Sequence, residues 1–303
     1  MKINTGLKLG MNYFIRSFQK PSVMALESSA DCQADCIMCG REKLKRDKQA
    51  MTMDTYKKAI SEAKKNKIKV IQLSFYGEPL LDPQLIAKLE YLRQQIPDAL
   101  IVFNTNGEAL TDELIEAVLK YKVTAIRFSL EGNNKVEYES IRNGLSYNKL
   151  INNMAKLKTA RDKQGSDLAI IVWALNLKSY PMEKEAFRKF WLQYADDIHI
   201  RNEAEIILSK KEKLFQKVAP CFRPFAYFIV LADGRVTICD IDWYGEHVYG
   251  SLKENSLKEL WFSKKMLFLR FVHLFGFKRT LSSCEKCRYK PFSSHFQNSY
   301  YQK

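Results

Sequence analysis

Three cysteines, Cys32, Cys36 and Cys39, lie within the short stretch SADCQADCIMCG in the pattern C-x3-C-x2-C. Three thiolates from one loop could supply most of a structural zinc site, whose fourth ligand would come from elsewhere. The alternative is a [4Fe–4S] cluster with three cysteine ligands, which leaves one iron open to hold a substrate or a cofactor. The spacing favours the cluster.

A second candidate element is the Gly77-Glu78-Pro79 turn in FYGEPLLDP, residues 75–83. Most such tripeptides are ordinary turns. Here the backbone after Gly77 could receive an ammonium group, and Pro79 would stiffen the turn.

Alternating strand and helix patterns must position these two elements. Short apolar runs predict buried parallel strands at residues 22–28, 68–75, 99–104, 123–130, 168–175 and 197–201. Amphipathic patterns predict helices at residues 53–66, 83–95, 111–122, 147–163 and 182–195, with Thr111 as an N-cap. This alternation predicts a barrel or part-barrel, or else an open doubly wound sheet. In either fold ligands bind at the carboxyl ends of the strands, where the cysteine loop and the Gly-Glu-Pro turn follow the first two strands.

The pattern changes after about residue 205. Residues 226–239 predict a hairpin that turns at Asp233-Gly234, and residues 256–273 predict one helix. The four other cysteines are Cys221, Cys239, Cys284 and Cys287. They could complete a metal site, for which zinc and iron–sulfur are comparable on spacing alone.

Composition bounds the class of protein. The net charge of +15 suits nucleic acid, an anionic membrane surface, an acidic partner or an anionic substrate, and equally an ordinary lysine-rich surface. We find no signal peptide and no apolar run long enough to span a membrane, which predicts a cytoplasmic protein. Seven cysteines, an odd number, argue against complete disulfide pairing.

The chain resembles the radical S-adenosylmethionine (SAM) superfamily in its three-cysteine loop, in Gly77-Glu78-Pro79, and in FNTNG (103–107), FSLEG (128–132) and YESIRNG (138–144). The resemblance implies a partial (β/α)6, TIM-like barrel over residues 22–205, after a basic amphipathic extension at residues 1–21. It implies that the open iron chelates the amine and carboxylate of SAM. One-electron cleavage of SAM then gives a 5′-deoxyadenosyl radical that abstracts hydrogen from the substrate.

The resemblance also implies roles for residues on the rim of the barrel. The backbone at 77–79 would meet the methionyl amine, Ser129 and Glu131 would lie near the ribose, and Arg142 would bind the carboxylate. Asn104 and Met38 would also contact the cofactor. Two positions depart from the family pattern: Met38 stands where many members carry an aromatic residue, and Glu131 where Asp is commoner.

Residues 206–303 resemble the small α+β auxiliary-cluster domains called SPASM and, in the shorter form, twitch. The cysteine spacing is similar to that of twitch-type aminocyclitol dehydrogenases, which implies one auxiliary [4Fe–4S] cluster held by the last four cysteines. All seven cysteines are then used, and none remains to return a hydrogen atom to a substrate radical. This favours a two-electron oxidation with the auxiliary cluster as electron acceptor over a cysteine-dependent epimerase, although a tyrosine could replace the cysteine.

A sugar- or cyclitol-type small molecule is the expected substrate, with a peptide or protein as the alternative, and a flavodoxin- or ferredoxin-type protein as electron donor. Arg201 and Asp242 are the candidate catalytic residues, followed by Asn202, Glu203, Asp240 and His247. The stretches 7–20 and 266–279 could lie on a membrane, but packing against the barrel is favoured. A zinc-stabilised nucleic-acid-binding protein would not explain the three-cysteine loop, the Gly-Glu-Pro turn and six β/α units together.

Overall fold

The computed structural model describes residues 18–41, 44–202, 221, 223–239, 242, 247–277, 280, 281 and 284. Among the predicted site residues, Cys287, Glu203 and Asp240 lie outside the described residues. The strands are β1 Val23–Leu26, β2 Asp35–Cys36, β3 Val70–Gln72, β4 Leu100–Thr105, β5 Ala125–Ser129, β6 Arg142–Asn143, β7 Ala169–Asn176, β8 Asp197–Asn202, β9 Tyr227–Val230, β10 Arg235–Thr237 and β11 Gly250–Ser251. The helices are α1 Met53–Lys65, α2 Leu85–Gln95, α3 Asp112–Lys120, α4 Lys135–Ile141, α5 Tyr147–Gln164, α6 Lys184–Trp191, α7 Arg223–Ala226, α8 Leu257–Trp261 and α9 Lys264–Leu274.

The six predicted strands are β1, β3, β4, β5, β7 and β8, and they lie side by side in that order, all parallel. A doubly wound sheet would reverse its strand order at a switch point. The unbroken order therefore decides between the two predicted architectures, and the fold is a partial barrel. Thr111 caps α3 as predicted, with its side chain accepting a hydrogen bond from the Leu114 N–H.

The two faces of the sheet carry different side chains. On β5, Ile126 and Phe128 belong to the large core beneath the helices, whereas Ala125 belongs to a small separate cluster on the opposite face. Because successive side chains alternate across a strand, Arg127 and Ser129 share the face of Ala125. This face forms the inner wall of the partial barrel.

The C-terminal hairpin extends the barrel sheet. Strand β9 pairs in parallel with β1, with Val23 opposite Tyr227, and β10 and β11 continue the sheet beyond β9. The predicted turn at Asp233-Gly234 is confirmed, and Gly234 has the positive φ of 89° that favours glycine. The buried Glu27 of β1 accepts a hydrogen bond from the Ala232 N–H, which further connects the hairpin to the barrel.

The prediction of one helix over residues 256–273 is wrong, because two helices occupy this stretch. Helix α8 ends at Trp261, and Ser263 begins α9 by accepting a hydrogen bond from the Met266 N–H. Serine favours the N-cap because its hydroxyl satisfies an amide that has no partner within the helix. Within the part of the chain that the structure describes, we find no helix long and apolar enough to cross a membrane.

A buried ionic network joins the chain after β1 to the chain after β3. The Asp82 carboxylate accepts hydrogen bonds from the Ser28 hydroxyl and from the Lys88 ammonium group, which also donates to the Met51 carbonyl at 2.5 Å. Lys88 and Asp82 have fully buried side chains. A buried charge needs such partners, since an unpaired one would cost several kcal/mol. The network therefore holds Ser28, which directly precedes the cysteine loop, against the chain after β3.

Candidate active site

The thiolate loop, residues 29–40, leaves the carboxyl end of β1. Cys36 lies in β2, which pairs antiparallel with β6 so that Cys36 is opposite Arg142. The Cys39 N–H donates to the Cys36 carbonyl at 2.9 Å, which closes a turn between the second and third cysteines. Cys32 and Cys36 are partly buried, and Cys39 is exposed. The loop thus has a defined backbone with its third thiol facing solvent.

Two polar side chains contact the thiols from other strands. The Asn106 Nδ2 atom lies 3.7 Å from the Cys32 Sγ, and an Arg142 guanidinium nitrogen lies 3.7 Å from the Cys36 Sγ. Burial raises the pKa of Cys36 to about 11, although the positive charge of Arg142 opposes this shift. Metal ligation requires the thiolate, so a bound cluster has to displace this proton.

Gly77 packs directly against the thiolate loop. A Cβ atom at this position would lie 2.1 Å from the Ser29 carbonyl oxygen and 2.6 Å from that of Asp31. The next N–H group, of Glu78, donates to the Asp31 carbonyl at 2.7 Å. The absence of a side chain at Gly77 thus lets the turn after β3 fix the loop just before Cys32. An ammonium group, being a donor, would have to meet carbonyl oxygens of this turn.

The Glu78 side chain points into the protein and organises the end of β4. Its carboxylate accepts hydrogen bonds from the Thr105 hydroxyl at 2.7 Å and from the N–H groups of Asn106 at 2.8 Å and Leu80 at 3.0 Å. Burial raises the pKa of Glu78, and these donors oppose that shift. Glu78 therefore connects the Gly-Glu-Pro turn to Asn106, which in turn contacts Cys32.

Replacing Glu78 by glutamine should weaken this connection. The amide nitrogen cannot accept a hydrogen bond, so at least one buried N–H or hydroxyl group loses its partner. We expect the free energy of unfolding to fall by about 1–3 kcal/mol, measured by denaturant titration of the metal-free protein. Glu116→Gln, at an exposed position on α3, serves as the matched control. Equal stability of the two variants would contradict this role for Glu78.

Glu131 and Arg142, predicted as separate cofactor contacts, lie together as a buried ion pair. The Arg142 Nε donates to Glu131 Oε2 at 2.6 Å, and Glu131 Oε1 accepts from the Leu175 N–H at 3.2 Å. Burial by itself lowers the pKa of Arg142, but the charges of Glu131 and Cys36 outweigh burial and raise this pKa above its usual value. The guanidinium therefore stays charged. The pair connects the ends of β5 and β7 to the thiolate loop.

The other predicted cofactor residues lie near strand ends or in the thiolate loop. Ser129 ends β5 on the inner wall, and Met38 is half-buried in the thiolate loop. The Oδ1 atom of Asn104 is buried and accepts no hydrogen bond from the residues that the structure describes. A buried acceptor without a donor is costly, and a bound cofactor carrying a hydroxyl or amino group would satisfy it.

The inner wall carries a group of residues that the sequence analysis mostly missed. The Trp173 ring centroid lies 4.8 Å from the Arg127 guanidinium carbon and 4.7 Å from that of Arg201. His199 also contacts Trp173. Burial lowers the pKa of His199, Asp197 opposes this shift, and the positive charges of Arg127 and Arg201 add to it. The available signal was the presence of arginine, tryptophan and histidine within otherwise apolar strands.

The remaining candidates belong to the C-terminal segment. The buried Asp242 carboxylate accepts hydrogen bonds from the Thr237 hydroxyl at 2.8 Å and from the His247 N–H at 2.9 Å. Asn202, at the end of β8, accepts a hydrogen bond from Asn176 Nδ2 at 3.0 Å. Asp242 and Asn202 thus have structural contacts of their own.

Two of the C-terminal cysteines also have cationic or imidazole neighbours. Arg223 approaches the Cys239 Sγ at 3.9 Å, and His273 Nε2 lies 3.8 Å from the Cys284 Sγ. Within the described residues, no group of three or more His, Cys, Asp or Glu side chains forms a site for a metal ion. The fit to iron–sulfur clusters accordingly rests on the thiol donor sets, whereas the unpartnered Asn104 Oδ1 would suit a donor group of a bound organic cofactor.

Family models match two segments of the chain. Residues 26–172 match the radical SAM superfamily, and residues 221–288 match the iron–sulfur cluster-binding domain SPASM. Together these segments span more than half of the chain. A curated relative from Pyrococcus furiosus, the tungsten-containing aldehyde ferredoxin oxidoreductase cofactor-modifying protein, is 24% identical over 166 residues, 52% of this chain. The match spans only 45% of that protein.

Solved structures share the fold over most of the chain. BtrN in complex with AdoMet and 2-DOIA has a TM-score of 0.60 at 18% identity, covering 88% of this chain and 92% of BtrN. SuiB of Streptococcus suis, bound to the precursor peptide SuiA, has a TM-score of 0.65 at 14% identity, covering 95% of this chain and 76% of SuiB. anSMEcpe with bound AdoMet has a TM-score of 0.63 at 14% identity, covering 83% of both chains.

Proposed function

The chain belongs to the radical SAM superfamily and carries a SPASM iron–sulfur cluster-binding domain, and on this premise we propose that it removes two electrons from a sugar- or cyclitol-type small molecule. The radical SAM domain binds a [4Fe–4S] cluster and SAM, and the SPASM domain binds auxiliary iron–sulfur clusters. SAM that is bound there and reduced by one electron supplies a hydrogen-abstracting radical. The reductant is a flavodoxin- or ferredoxin-type protein.

The observation that carries the proposal is the way the thiolate loop is fixed to the strand ends. Cys32 contacts Asn106, Cys36 contacts Arg142, and Gly77 packs on the backbone before Cys32. We assign Cys32, Cys36 and Cys39 to the SAM-binding cluster. Carbonyl oxygens of residues 77–79 then receive the methionyl amine, and Arg142 the carboxylate. Asn104, Ser129, Glu131 and Met38 complete this cofactor site.

The proposal of a two-electron oxidation rests on the number of cysteines in the sequence and the ligands they supply. We assign Cys221, Cys239, Cys284 and Cys287 to one auxiliary [4Fe–4S] cluster, so that each of the seven cysteines is a ligand. No thiol then remains to return a hydrogen atom to the substrate. The electrons balance when one hydrogen atom leaves to the radical, a proton leaves to a base, and the second electron passes to the auxiliary cluster.

Arg201 and Asp242 are the residues we assign to the substrate. Arg201 stacks on Trp173 at the inner wall, where a guanidinium can bind substrate hydroxyl groups. Asp242 is the candidate proton acceptor. Its buried carboxylate is held by Thr237 and by the His247 backbone, which would fix its orientation.

A peptide substrate is the second candidate. It is favoured by the fold shared with SuiB, whose structure with the precursor peptide SuiA covers 95% of this chain. Likeness at this level of identity concerns the fold, so the substrate screen should include peptides after sugars and cyclitols.

The test is the formation of 5′-deoxyadenosine from SAM by anaerobically reconstituted, dithionite-reduced protein. We expect product from the reduced protein and none when dithionite is omitted. A fully iron-loaded protein that neither forms product nor binds SAM would refute the proposal. If SAM binds without being cleaved, the assay is repeated with each substrate of the screen, and product with none of them would also count against the proposal.

A further inference from the structure

Helix α9 has an unusual distribution of side chains between its two faces. Its buried residues include Arg270 and His273 beside Met266, Leu269 and Val272. Its exposed residues after the first two lysines are all apolar. A surface helix normally shows the opposite pattern, with charged groups outward. The outward face of α9 therefore needs an explanation.

The exposed side chains form what we call the aromatic face: Leu267, Phe268, Phe271, Phe275 and Phe277. Phe268 is 55% exposed, Phe271 50% and Phe275 61%. The rings of Phe271 and Phe275 lie with centroids 4.5 Å apart, so the face is continuous along the helix. Monomeric soluble proteins rarely leave contiguous apolar side chains in water, and such patches mark sites of interaction.

The rotation of α9 is fixed by Arg270, so the helix cannot roll to bury its phenylalanines. The Arg270 Nε donates to the Pro224 carbonyl at 3.0 Å, and another guanidinium nitrogen donates to the Trp261 carbonyl at 2.9 Å. The guanidinium carbon also lies 3.9 Å from the centroid of the Trp261 ring. Releasing these contacts would leave a buried cation without partners. The outward direction of the aromatic face is thus a stable property of the fold.

The segment that carries the aromatic face holds only positive charges. Lys264 and Lys265 are exposed at the start of α9, and residues 260–284 contain no aspartate or glutamate. Lys278 and Arg279 follow the face in the sequence. A second copy docked face to face about a twofold axis would add a second set of the same positive charges without an acidic residue from this segment to pair with them, which disfavours a dimer through this surface. Basic groups beside exposed phenylalanines instead suit a surface that is negative outside and apolar beneath.

We propose that the aromatic face inserts its phenylalanines into the head-group region of a bilayer that contains anionic phospholipids. Leu267, Phe268 and Phe271 would enter the boundary between head groups and acyl chains, and Lys264 and Lys265 would contact lipid phosphates. The helix lies in the plane of the interface and does not cross the bilayer. The proposal does not depend on the proposed reaction, although the buried face of α9 carries His273, whose Nε2 lies 3.8 Å from the Cys284 Sγ.

The test is flotation of the iron-loaded 303-residue chain with vesicles made of equal parts phosphatidylcholine and phosphatidylglycerol. The wild type should float with these vesicles, and several-fold less with pure phosphatidylcholine or at high salt. Phe268→Ser/Phe271→Ser should lower the partition on the order of a hundredfold, since burial of each phenylalanine contributes roughly a factor of ten or more. Leu192→Ser, at a similarly exposed apolar position after α6, is the matched control and should float like the wild type.

We expect the double variant to fold, because half-exposed positions tolerate serine. Wild-type iron content and an unchanged far-UV circular dichroism spectrum check this. Absence of flotation by the wild type would overturn the proposal, as would undiminished flotation of the double variant. A dimer of the wild type that the double variant disperses, without vesicle binding, would overturn it in favour of a second copy as the occupant.

Discussion

The triple variant Cys32→Ala/Cys36→Ala/Cys39→Ala is expected to form no detectable 5′-deoxyadenosine from SAM. The three thiols are the donor set of the proposed SAM-binding cluster, and alanine offers no ligand to iron. The measurement is product formed per protein under reducing conditions, together with iron and sulfide content. We expect the loss of one cluster's iron and retention of the rest.

The matched control replaces the other described cysteines, Cys221, Cys239 and Cys284, by alanine. If these ligands hold an auxiliary cluster that only accepts electrons, this variant should still cleave SAM while failing to oxidise substrate. SAM cleavage by the variant at the thiolate loop would contradict the assignment of that loop. Unchanged substrate oxidation by the auxiliary variant would instead contradict the proposed route of the second electron.

Gly77→Ala is expected to lower SAM cleavage by at least about a hundredfold, because displacing a catalytic element by ~1 Å is enough for that effect. The new Cβ would lie 2.1 Å from the Ser29 carbonyl oxygen, which is backbone and cannot rotate away. Either the turn after β3 or the chain before Cys32 has to move, and that movement displaces the cluster relative to the carbonyls of residues 77–79. The measurement is SAM cleavage normalised to bound iron.

Gly165→Ala provides the control for this prediction. Gly165 ends α5 with a positive φ of 61°, and a Cβ there would meet no atom within 4 Å. In that variant the backbone strain costs about 1 kcal/mol, but the new Cβ collides with no other atom. Its cleavage of SAM should therefore match the wild type. Wild-type cleavage by Gly77→Ala would mean that the contact between Gly77 and the thiolate loop has no bearing on cofactor binding.

The sequence by itself determined the six parallel strands, most helices and the placement of the three-cysteine loop at the carboxyl end of the first strand. The six parallel strands and the Asp233-Gly234 turn were predictable because buried strands and tight turns depend on neighbouring residues in the chain. The same holds for the Thr111 cap. Ser263 carried a similar local signal, and its preference for the N-cap position could have divided the predicted helix at residues 256–273 into α8 and α9.

Only the tertiary structure decided which of these residues meet. The unbroken strand order excluded a doubly wound sheet, and the pairing of β9 with β1 joined the hairpin to the barrel. Glu131 and Arg142 were predicted to contact the cofactor separately, yet they form one ion pair. Glu78 was predicted through its backbone, whereas its side chain organises the end of β4.

These pairings could not be predicted because periodicity reports only which face of its own element a residue occupies. The partner across a face depends on strand neighbours that are distant in the sequence. The same limit applies to α9, whose pattern shows two faces but not which one is buried. Arg270 decides that choice by taking partners from Pro224 and Trp261, and so turns the phenylalanines outward.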